Sequence, residues 1–443
     1  MLDHVKKIHF IGVGGVGVSA IARMARLKGI KVTGSDVSMN KMAERIQTIH
    51  GKIFVGHKRE NLPQDANMVV YSPAITEDNP EMIYAKELNI PTYSYPEILG
   101  MISKDMYTIA VSGTHGKTTT TSMLAELFIY GNLDPTVVVG GLLKKQQDNF
   151  VLGSSKYFIV EACEYKESFL NLTPNILIIL NIDNDHLDYY GTVENVKTAF
   201  KKMVEKTHED GYIIYNGDDK NILDVLSSAN TSAKKLNYLE AKAEIKLSVP
   251  GEHNFKNAKA AFTTARLSGI TENTALKILK NYTGTWRRFD FMGNTKNGAL
   301  IYNDYGHHPT EIKTTIKATK EQYPNNRLFV VFQPHLYSRT KLLLNDFATA
   351  FDLADGIIVT DIYGSREKDD HTIHARDLVG AINKKIPLRQ GSAGQAVQYI
   401  SNFEDIKKYL ELKAEKDDII LLQGAGDIYK IGEEMLFPIS KHD

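Results

Sequence analysis

The chain has almost no cysteine. Cys163 is the single cysteine among 443 residues. One thiol can form neither a disulfide framework nor a cysteine-based zinc site, and such sparse cysteine usage is typical of a reducing compartment. We expect Cys163 to be a small core residue.

An excess of charge of either sign is also missing. The 53 lysines and arginines balance 53 aspartates and glutamates, so the chain lacks the excess of positive charge that is typical of nucleic-acid-binding proteins. The sequence contains neither a signal-peptide core at its start nor an apolar run long enough to span a bilayer. These absences predict a cytoplasmic protein with no nucleic-acid partner, no membrane partner and no evident obligate protein partner.

Short apolar runs do occur, and they alternate with longer, periodic, charged stretches. The chain of 443 residues is too long for one hydrophobic core. Strands that alternate with helices predict α/β domains built on parallel sheets. Seams near 95–105 and 281–286 divide the chain into three predicted domains. These are a Rossmann-like domain at 1–104, a central P-loop ATPase-type domain at 105–283 and a second Rossmann-like domain at 284–443.

The most informative motif is a glycine-rich loop between a predicted strand and a predicted helix. Its residues are Gly113, Thr114, His115, Gly116, Lys117, Thr118 and Thr119. Backbone N–H groups at a helix start accept phosphate oxygens, Lys117 can neutralise terminal phosphates, and the Thr118 hydroxyl can hold Mg²⁺. The loop is shorter than the usual Walker motif, because Val111 stands where that motif has glycine. We predict an ATP site here; a glycine turn without ligand is the alternative.

A second glycine motif follows the first predicted strand. Its glycines are Gly12, Gly14, Gly15 and Gly17, and Asp36 follows the next predicted strand. A glycine loop at a helix start binds any pyrophosphate, and an acidic residue in this place can bind a ribose hydroxyl. Three interpretations stay open: an NAD or NADP site, a site for a UDP-linked substrate, or glycines that serve only close strand–helix packing.

Acidic residues and a histidine follow two later predicted strands. They are Glu161 and Glu164 after one strand, and Asp183, Asp185, His186 and Asp188 after the next. The carboxyl ends of parallel strands meet at the edge where the phosphate loop lies, and Thr118 and Glu161 offer oxygens that suit Mg²⁺. For His186, metal ligation and orientation of an acidic neighbour both stay open. The aspartates could equally cap turns and helices.

These motifs, in the order in which they occur along the chain, resemble those of the Mur ligases, the ATP-dependent amide-forming enzymes of peptidoglycan assembly. The resemblance covers nearly the whole chain and continues through the segments 250–258, 287–289, 304–311, 332–340 and 361–365. It implies an ATP-dependent carboxylate–amine ligase that forms an acyl phosphate during peptidoglycan precursor synthesis. Two of these segments, 304–311 and 332–335, are most similar to members that join L-alanine to UDP-N-acetylmuramate.

The resemblance also implies roles for individual residues. Lys117, Glu161 and His186 would be catalytic, with Mg²⁺ held by Thr118, Glu161 and His186. Besides the loop at 113–119, ATP would contact His253, Asn254, Asn257, Arg288 and Asp304. The UDP substrate would lie in the first domain, on the glycines at 12–17 and Asp36, and L-alanine in the third, near His335 and Arg339. The adjacent His307 and His308 are predicted to contact substrate or to cap a helix that begins at Pro309.

The chain departs from the family pattern at two positions. Leu336 stands where many members have an arginine, so a role of that arginine in gripping the amino-acid carboxylate is not carried over. Cys163 stands where many members have aspartate. Two alternatives to the L-alanine ligase stay open: a Mur-type ligase that attaches a preformed peptide or another amino acid, and, more distantly, a dehydrogenase that uses NAD or NADP.

Overall fold

The computed structural model describes residues 4–365, 367–385 and 397–436. Within them the chain forms three β-sheets whose strands alternate with helices along the sequence. The chain divides into two compact units, one of Met1–Lys246 and Lys256–Tyr282, the other of Leu247–Phe255 and Thr283–Asp443. Two of the sheets belong to the first unit, and the third belongs to the second unit.

The first sheet consists of five parallel strands in the order β3-β2-β1-β4-β5. The strands are β1 (Lys7–Ile11), β2 (Lys31–Asp36), β3 (Lys52–Val55), β4 (Met68–Tyr71) and β5 (Thr92–Ser94). The helices are α1 (Val16–Leu27), α2 (Lys41–Thr48), α3 (Pro80–Glu87) and α4 (Tyr95–Asp105). Apolar side chains on both faces of β1 are buried, as expected of a parallel sheet covered by helices on both sides.

A buried polar network lies beneath the carboxyl end of the first sheet. The carboxylate of Glu81, which is fully buried, accepts hydrogen bonds from Ser35 (2.7 Å) and Asn61 (2.9 Å) and lies 2.7 Å from Nε2 of His9. Burial opposes ionisation of Glu81, yet hydrogen bonds from His9, Ser35 and Asn61 outweigh it and hold the pKa of this carboxyl below its ordinary value.

We expect Glu81→Gln to lower the free energy of unfolding at neutral pH by about 3 kcal/mol, since it breaks a buried charged network. Because folding lowers the pKa of Glu81, its contribution is present above the ordinary value of 4.5 and is lost as the pH falls through the folded pKa. Urea unfolding between pH 7 and 3 checks both points. Glu87→Gln, which alters an exposed ion pair with Arg59, is the control. An unchanged pH dependence in Glu81→Gln would contradict this account.

The second sheet has seven strands in the order β12-β11-β10-β6-β9-β7-β8, and only β8 among them runs antiparallel to its neighbour. The strands are β6 (Tyr107–Ser112), β7 (Thr136–Leu143), β8 (Asp148–Val151), β9 (Tyr157–Glu161), β10 (Ile176–Ile179), β11 (Tyr212–Tyr215) and β12 (Lys234–Asn237). The helices are α5 (Lys117–Tyr130), α6 (Leu187–Tyr190), α7 (Val193–Glu205), α8 (Lys220–Ser228), α9 (Glu252–Leu267) and α10 (Glu272–Lys280). The central strand β6 lies between β9 and β10, so the chain segments that follow these three strands meet at one edge.

The third sheet has six strands in the order β13-β14-β18-β15-β16-β17, with β13 antiparallel to β14 and the others parallel. The strands are β13 (Asp290–Asn294), β14 (Leu300–Asp304), β15 (Leu328–Phe332), β16 (Gly356–Val359), β17 (Val397–Tyr399) and β18 (Ile419–Gln423). The helices are α11 (Pro309–Gln322), α12 (Tyr337–Leu342), α13 (Leu344–Phe347), α14 (Ala375–Lys385), α15 (Phe403–Lys413) and α16 (Tyr429–Met435).

The predicted α/β class with three largely parallel sheets is confirmed. The predicted boundaries at 104 and 283 stay predictions. None of the helices that the structure describes has the length and hydrophobicity to traverse a lipid bilayer.

Candidate active site

The glycine-rich loop connects β6 to α5 at the carboxyl edge of the second sheet. Gly116 adopts a left-handed conformation (φ 86°) and a Cβ there would lie 2.7 Å from Oδ1 of Asn257, so only glycine fits. Within the described residues, no side chain caps the start of α5 and no acidic residue occupies its first turn. Thr119 continues α5 and is buried. The start of α5 can therefore accept an anion.

Lys117 points back across this loop. Its Nζ donates to the carbonyl oxygens of Gly113 (2.5 Å) and Thr114 (3.0 Å) and lies 2.9 and 3.1 Å from the two carboxylate oxygens of Glu164. Burial alone would lower the pKa of Lys117, but the negative charge of the Glu164 carboxylate outweighs it and raises the pKa well above the usual range. Lys117 is therefore a fixed cation at the phosphate loop.

Glu164 is a functional candidate that sequence reasoning left without a role. Only 2% of the Glu164 side chain is exposed. In addition to its contacts with Lys117, its Oε1 lies 3.8 Å from Nε2 of His186. The signal was present, because Glu164 belongs to the same Glu-Ala-Cys-Glu motif as Glu161. Glu164 holds the Lys117 ammonium in place.

We expect Glu164→Gln to lower turnover about tenfold, because an amide holds the Lys117 ammonium less firmly than a carboxylate does. Steady-state kinetics with varied ATP would report this effect. Glu167→Gln, which alters a more exposed carboxylate three residues along the chain, serves as the matched control. Equal turnover of the two variants would contradict the role of Glu164.

The hydroxyl of Thr118 and the carboxylate of Glu161 form the centre of the candidate metal site. Oγ1 of Thr118 lies 3.0 and 3.1 Å from the two oxygens of Glu161, and the backbone N–H of Gly140 donates to Oε2 of Glu161 at 2.8 Å. These oxygens come from the ends of neighbouring elements of one sheet edge, as predicted, and form a donor set that suits a hard cation such as Mg²⁺. The residues present fit that ion.

His186 lies on the same edge, in the loop after β10. Its backbone is left-handed (φ 55°), and its ring is 4.7 Å from the ring of Tyr165, centroid to centroid. Its Nε2 is 3.8 Å from carboxylate oxygens of both Glu164 and Asp185. The contacts place His186 beside Glu164, and ligation of a metal by His186 stays a prediction.

The loop after β10 also holds the phosphate loop. The Asn181 amide oxygen accepts from the backbone of His115 (2.7 Å), and its amide nitrogen donates back to the His115 carbonyl (3.0 Å). The backbone N–H of Asp183 donates to Oγ1 of Thr114 (2.8 Å). His115 further pairs with the Asp183 carboxylate at 3.3 Å. Asn181 and Asp183 thus fix the loop.

The first glycine loop lies at the start of α1, which has neither a capping side chain nor an acidic first-turn residue among the described residues. The backbone N–H of Gly14 donates to Oδ2 of Asp36 at 2.8 Å, so Asp36 stabilises the loop itself. Gly17 leaves room for Tyr95, because a Cβ at Gly17 would lie 2.4 Å from its ring. Binding of a ribose by Asp36 stays a prediction.

A cavity of about 260 Å³ extends from this glycine loop to the candidate metal site at the edge of the second sheet. Its lining includes Gly17 and Tyr95 on one side and Gly140, Glu161 and Cys163 on the other. Cys163 is exposed, so its assignment to the core was wrong. The reason is its position after the end of β9, where the chain leaves the sheet at the site edge.

In the second unit, Asp304 ends β14 and is buried. Its carboxylate accepts from the backbone N–H groups of Phe289 (2.9 Å) and Gly306 (3.0 Å), and from the side chains of Thr315 (3.2 Å) and Gln423 (3.1 Å). These bonds fix the segments on either side of the strand. A contact between Asp304 and a nucleotide stays a prediction.

Several predicted site residues lie near Asp304. The Arg288 guanidinium lies 5.0 Å over the ring of Tyr305 and 3.7 Å from the carboxylate of Glu311. His308 caps α11: its Nδ1 accepts from the backbone of Thr310, and Glu311 completes the capping box, as the predicted helix start at Pro309 requires. These contacts give His308 a structural role.

His307, His335 and Arg339 form an aromatic and basic group at the same edge. The His335 ring stacks on Tyr363 (5.9 Å, 17° between planes) and approaches the ring of His307 (5.6 Å). Nη1 of Arg339 is 3.4 Å from Nδ1 of His335. Leu336 adopts a left-handed conformation (φ 71°) and is buried, so it contributes packing only.

The helix α9 carries the remaining predicted ATP contacts. His253 and Asn254 belong to the second unit, whereas Asn257 belongs to the first, where its amide occupies the space that a Cβ at Gly116 would need. Burial lowers the pKa of His253. The Asn254 amide donates to the carbonyl of Pro250 at 2.6 Å. Asn257 and the phosphate loop therefore lie side by side in the first unit.

Family models match three consecutive parts of the chain. The model described as Mur ligase family, catalytic domain, matches residues 7–107, and the Mur ligase middle domain matches 111–239. The model described as Mur ligase, glutamate ligase domain, matches 287–426. Together they span most of the chain.

Individual relatives are similar over almost their full length. The UDP-N-acetylmuramate–L-alanine ligase of Clostridium acetobutylicum is 42% identical, covering 98% of this chain and 98% of that protein. The solved UDP-N-acetylmuramate-alanine ligase of Thermotoga maritima superposes with a TM-score of 0.79 at 26% identity, over 97% of this chain and 98% of that one. A murein peptide ligase of Psychrobacter arcticus gives a TM-score of 0.69 at 24% identity, over 97% and 98%, which indicates a shared fold.

Proposed function

The chain belongs to the Mur ligase family, and on that premise we propose that it joins L-alanine to the carboxylate of UDP-N-acetylmuramate. The reaction consumes ATP, releases ADP and phosphate, and makes a peptidoglycan precursor. The observation that carries the proposal is the phosphate loop at 113–119, with a fixed Lys117 and the Thr118–Glu161 pair at one sheet edge. Because the reaction consumes ATP, we also propose a cytoplasmic location.

The chemistry requires an activated carboxylate, because forming an amide from a carboxylate and an amine is unfavourable in water. A carboxylate oxygen of the muramyl group attacks the γ-phosphorus of ATP, and the bond from that phosphorus to the β,γ-bridging oxygen breaks to release ADP. The uncharged amine of L-alanine then attacks the acyl carbon. The acyl–oxygen bond breaks, phosphate leaves, and the amine loses one proton.

The residues at the sheet edge meet the main physical demand of the first step, which brings two anions together. Lys117 supplies a positive charge that Glu164 keeps in place, and the N–H groups at the start of α5 add dipoles aimed at phosphate oxygens. Mg²⁺, for which Thr118 and Glu161 offer ligands and His186 is a further candidate, would supply additional positive charge when bound.

The other two substrates have separate candidate sites. The glycines at 12–17 and Asp36 lie at the start of α1, where a pyrophosphate can be bound, and the cavity beside Gly17 reaches Glu161. This arrangement favours a UDP-linked substrate over a nicotinamide cofactor, because the muramyl carboxylate must reach the phosphate loop. His335, His307 and Arg339 form the candidate amino-acid site, where Arg339 can pair with a carboxylate.

Phosphate release tests the proposal directly. The protein is incubated with ATP, Mg²⁺, UDP-N-acetylmuramate and one amine substrate at a time: L-alanine, glycine, L-serine or a preformed peptide. We expect release to need all components and to be fastest with L-alanine. Fastest release with the peptide would favour the recycling alternative, and oxidation of NADH without ATP would overturn the ligase assignment.

A further inference from the structure

The β7–β8 hairpin forms one edge of the second sheet. Its strands pair antiparallel, and its β7 strand is joined to the sheet through β9, the strand that ends in Glu161. The hairpin packs against both α1, which follows the first glycine loop, and α5, which follows the phosphate loop. It therefore contacts the helices of both proposed phosphate sites of the first unit.

A buried set of hydrogen bonds fastens the hairpin to α1. Nη1 of Arg23, a residue of α1 with 5% exposure, lies 2.6 and 2.5 Å from the Asp148 oxygens, and its Nη2 donates to the Asn149 amide oxygen at 2.5 Å. The Asn149 amide nitrogen donates to the carbonyl of Val16 at 2.7 Å. Asn149, which is fully buried, thus links Arg23 to the first residue of α1.

Other contacts fasten the hairpin near the phosphate loop. The backbone N–H of Gly140, in β7, donates to the Glu161 carboxylate at 2.8 Å. Nζ of Lys145, in the hairpin turn, donates to the carboxylate of Glu126 in α5 at 2.6 Å. One short hairpin therefore touches the first turn of α1, the candidate metal ligand Glu161 and the helix α5.

We infer that this hairpin is a positioning element, and that Asn149 sets the first glycine loop at the correct distance from Glu161. The inference rests on the proposed function, because that reaction needs a substrate anchored by its pyrophosphate to present its carboxylate at the phosphate loop. A misplacement of about 1 Å can cost about a hundredfold in rate. Asn149 and Arg23 touch no reacting atoms in this scheme, so their role is positioning.

The test uses the full chain and three variants. Asn149→Ala removes both side-chain bonds, whereas Asn149→Asp keeps an acceptor for Arg23 and puts a carboxylate oxygen in place of the donor to the Val16 carbonyl. Arg45→Ala is the matched control, because Arg45 binds the same Asp148 (3.1 Å) and the carbonyl of Gln147. Within the part of the chain that the structure describes, Arg45 donates no hydrogen bond to the first turn of α1.

We expect kcat with UDP-N-acetylmuramate, ATP and L-alanine to fall about tenfold in both Asn149 variants, because the carboxylate is misplaced. The dissociation constant for UDP, measured by calorimetry, is expected to change less than about threefold, since Asp36 still holds the glycine loop. Arg45→Ala is expected to change kcat by less than about twofold, as for other partly exposed ion pairs. Asn149→Asp is expected to lower the melting temperature by a few degrees, because the buried Val16 carbonyl loses its donor. Since kcat is measured well below that temperature, its decrease reports position and not unfolding.

Three outcomes would overturn parts of this account, and they can be told apart. A wild-type protein that releases no phosphate with L-alanine overturns the proposed function and this inference with it. Wild-type turnover matched by Asn149→Asp overturns the inference alone. A fall in the melting temperature of Asn149→Asp that accounts for its whole loss of activity would reduce Asn149 to a structural residue and would equally overturn the inference.

Discussion

Replacing Lys117 with methionine is expected to lower turnover about a thousandfold, the largest effect of any substitution considered for this protein. The side chain keeps its length but loses the charge that offsets repulsion between the attacking carboxylate and the γ-phosphate. Two loop carbonyls and the Glu164 carboxylate hold the Lys117 ammonium at one position. A positive charge on a neighbouring side chain would lie elsewhere and could not replace it. Removal of its charge also leaves the buried carboxylate of Glu164 without its cation.

Single-turnover phosphate release separates this effect from ATP affinity, because saturating ATP restores binding but not the missing charge. Lys201→Met is the control, since Lys201 forms a partly exposed pair with Glu205 on α7 of the same sheet domain. Circular dichroism checks that the Lys117 variant is folded. Near-normal single-turnover rates would show that Lys117 does not stabilise the transition state.

Glu161→Gln is expected to lower turnover about a hundredfold at a Mg²⁺ concentration that saturates the wild type, and to raise the Mg²⁺ concentration needed for half-maximal rate. The amide keeps one oxygen near Thr118 but loses the negative charge that makes the pair a good site for a hard cation. Activity should therefore recover in part as Mg²⁺ is increased, which a purely structural defect would not allow.

Turnover measured as a function of Mg²⁺ and of Mn²⁺ concentration distinguishes the loss of a metal ligand from a purely structural defect. Glu126→Gln tests the specificity of the effect, because Glu126 is another buried carboxylate of this sheet domain and pairs with Lys145 of the hairpin. Its variant is expected to leave the Mg²⁺ concentration for half-maximal rate unchanged, even where the altered hairpin lowers turnover. The same Mg²⁺ dependence in Glu161→Gln as in the wild type would remove Glu161 from the proposed metal site.

The sequence was sufficient for the α/β class and for the elements around the phosphate loop. Strand β6, the loop and α5 follow from local signals: an apolar run, two glycines that must adopt φ above zero and a periodic helix. The meeting of Glu161 with Thr118 was also predictable, because parallel strands place their carboxyl ends at one edge.

Side-chain partners were less predictable, because they depend on tertiary contacts between distant residues. Binding of a ribose by Asp36 stays a prediction, whereas the bond that its carboxylate accepts from Gly14 in the loop itself was not evident from the sequence. The pairing of Glu164 with Lys117 joins residues 47 positions apart, and the bond between Arg23 and Asp148 joins residues 125 apart. Cys163 has an apolar character that favours burial, but its location just beyond β9 leaves it exposed.

The central claim is that the carboxylate of the UDP-linked substrate is phosphorylated at the edge formed by Lys117 and Glu161. The most direct measurement uses UDP-N-acetylmuramate with both carboxylate oxygens labelled as ¹⁸O, together with ATP, Mg²⁺ and L-alanine, and analyses the products by mass spectrometry. The account predicts one ¹⁸O in the released phosphate and the other in the amide carbonyl. Phosphate without ¹⁸O, formed at the same rate as the amide, would contradict it.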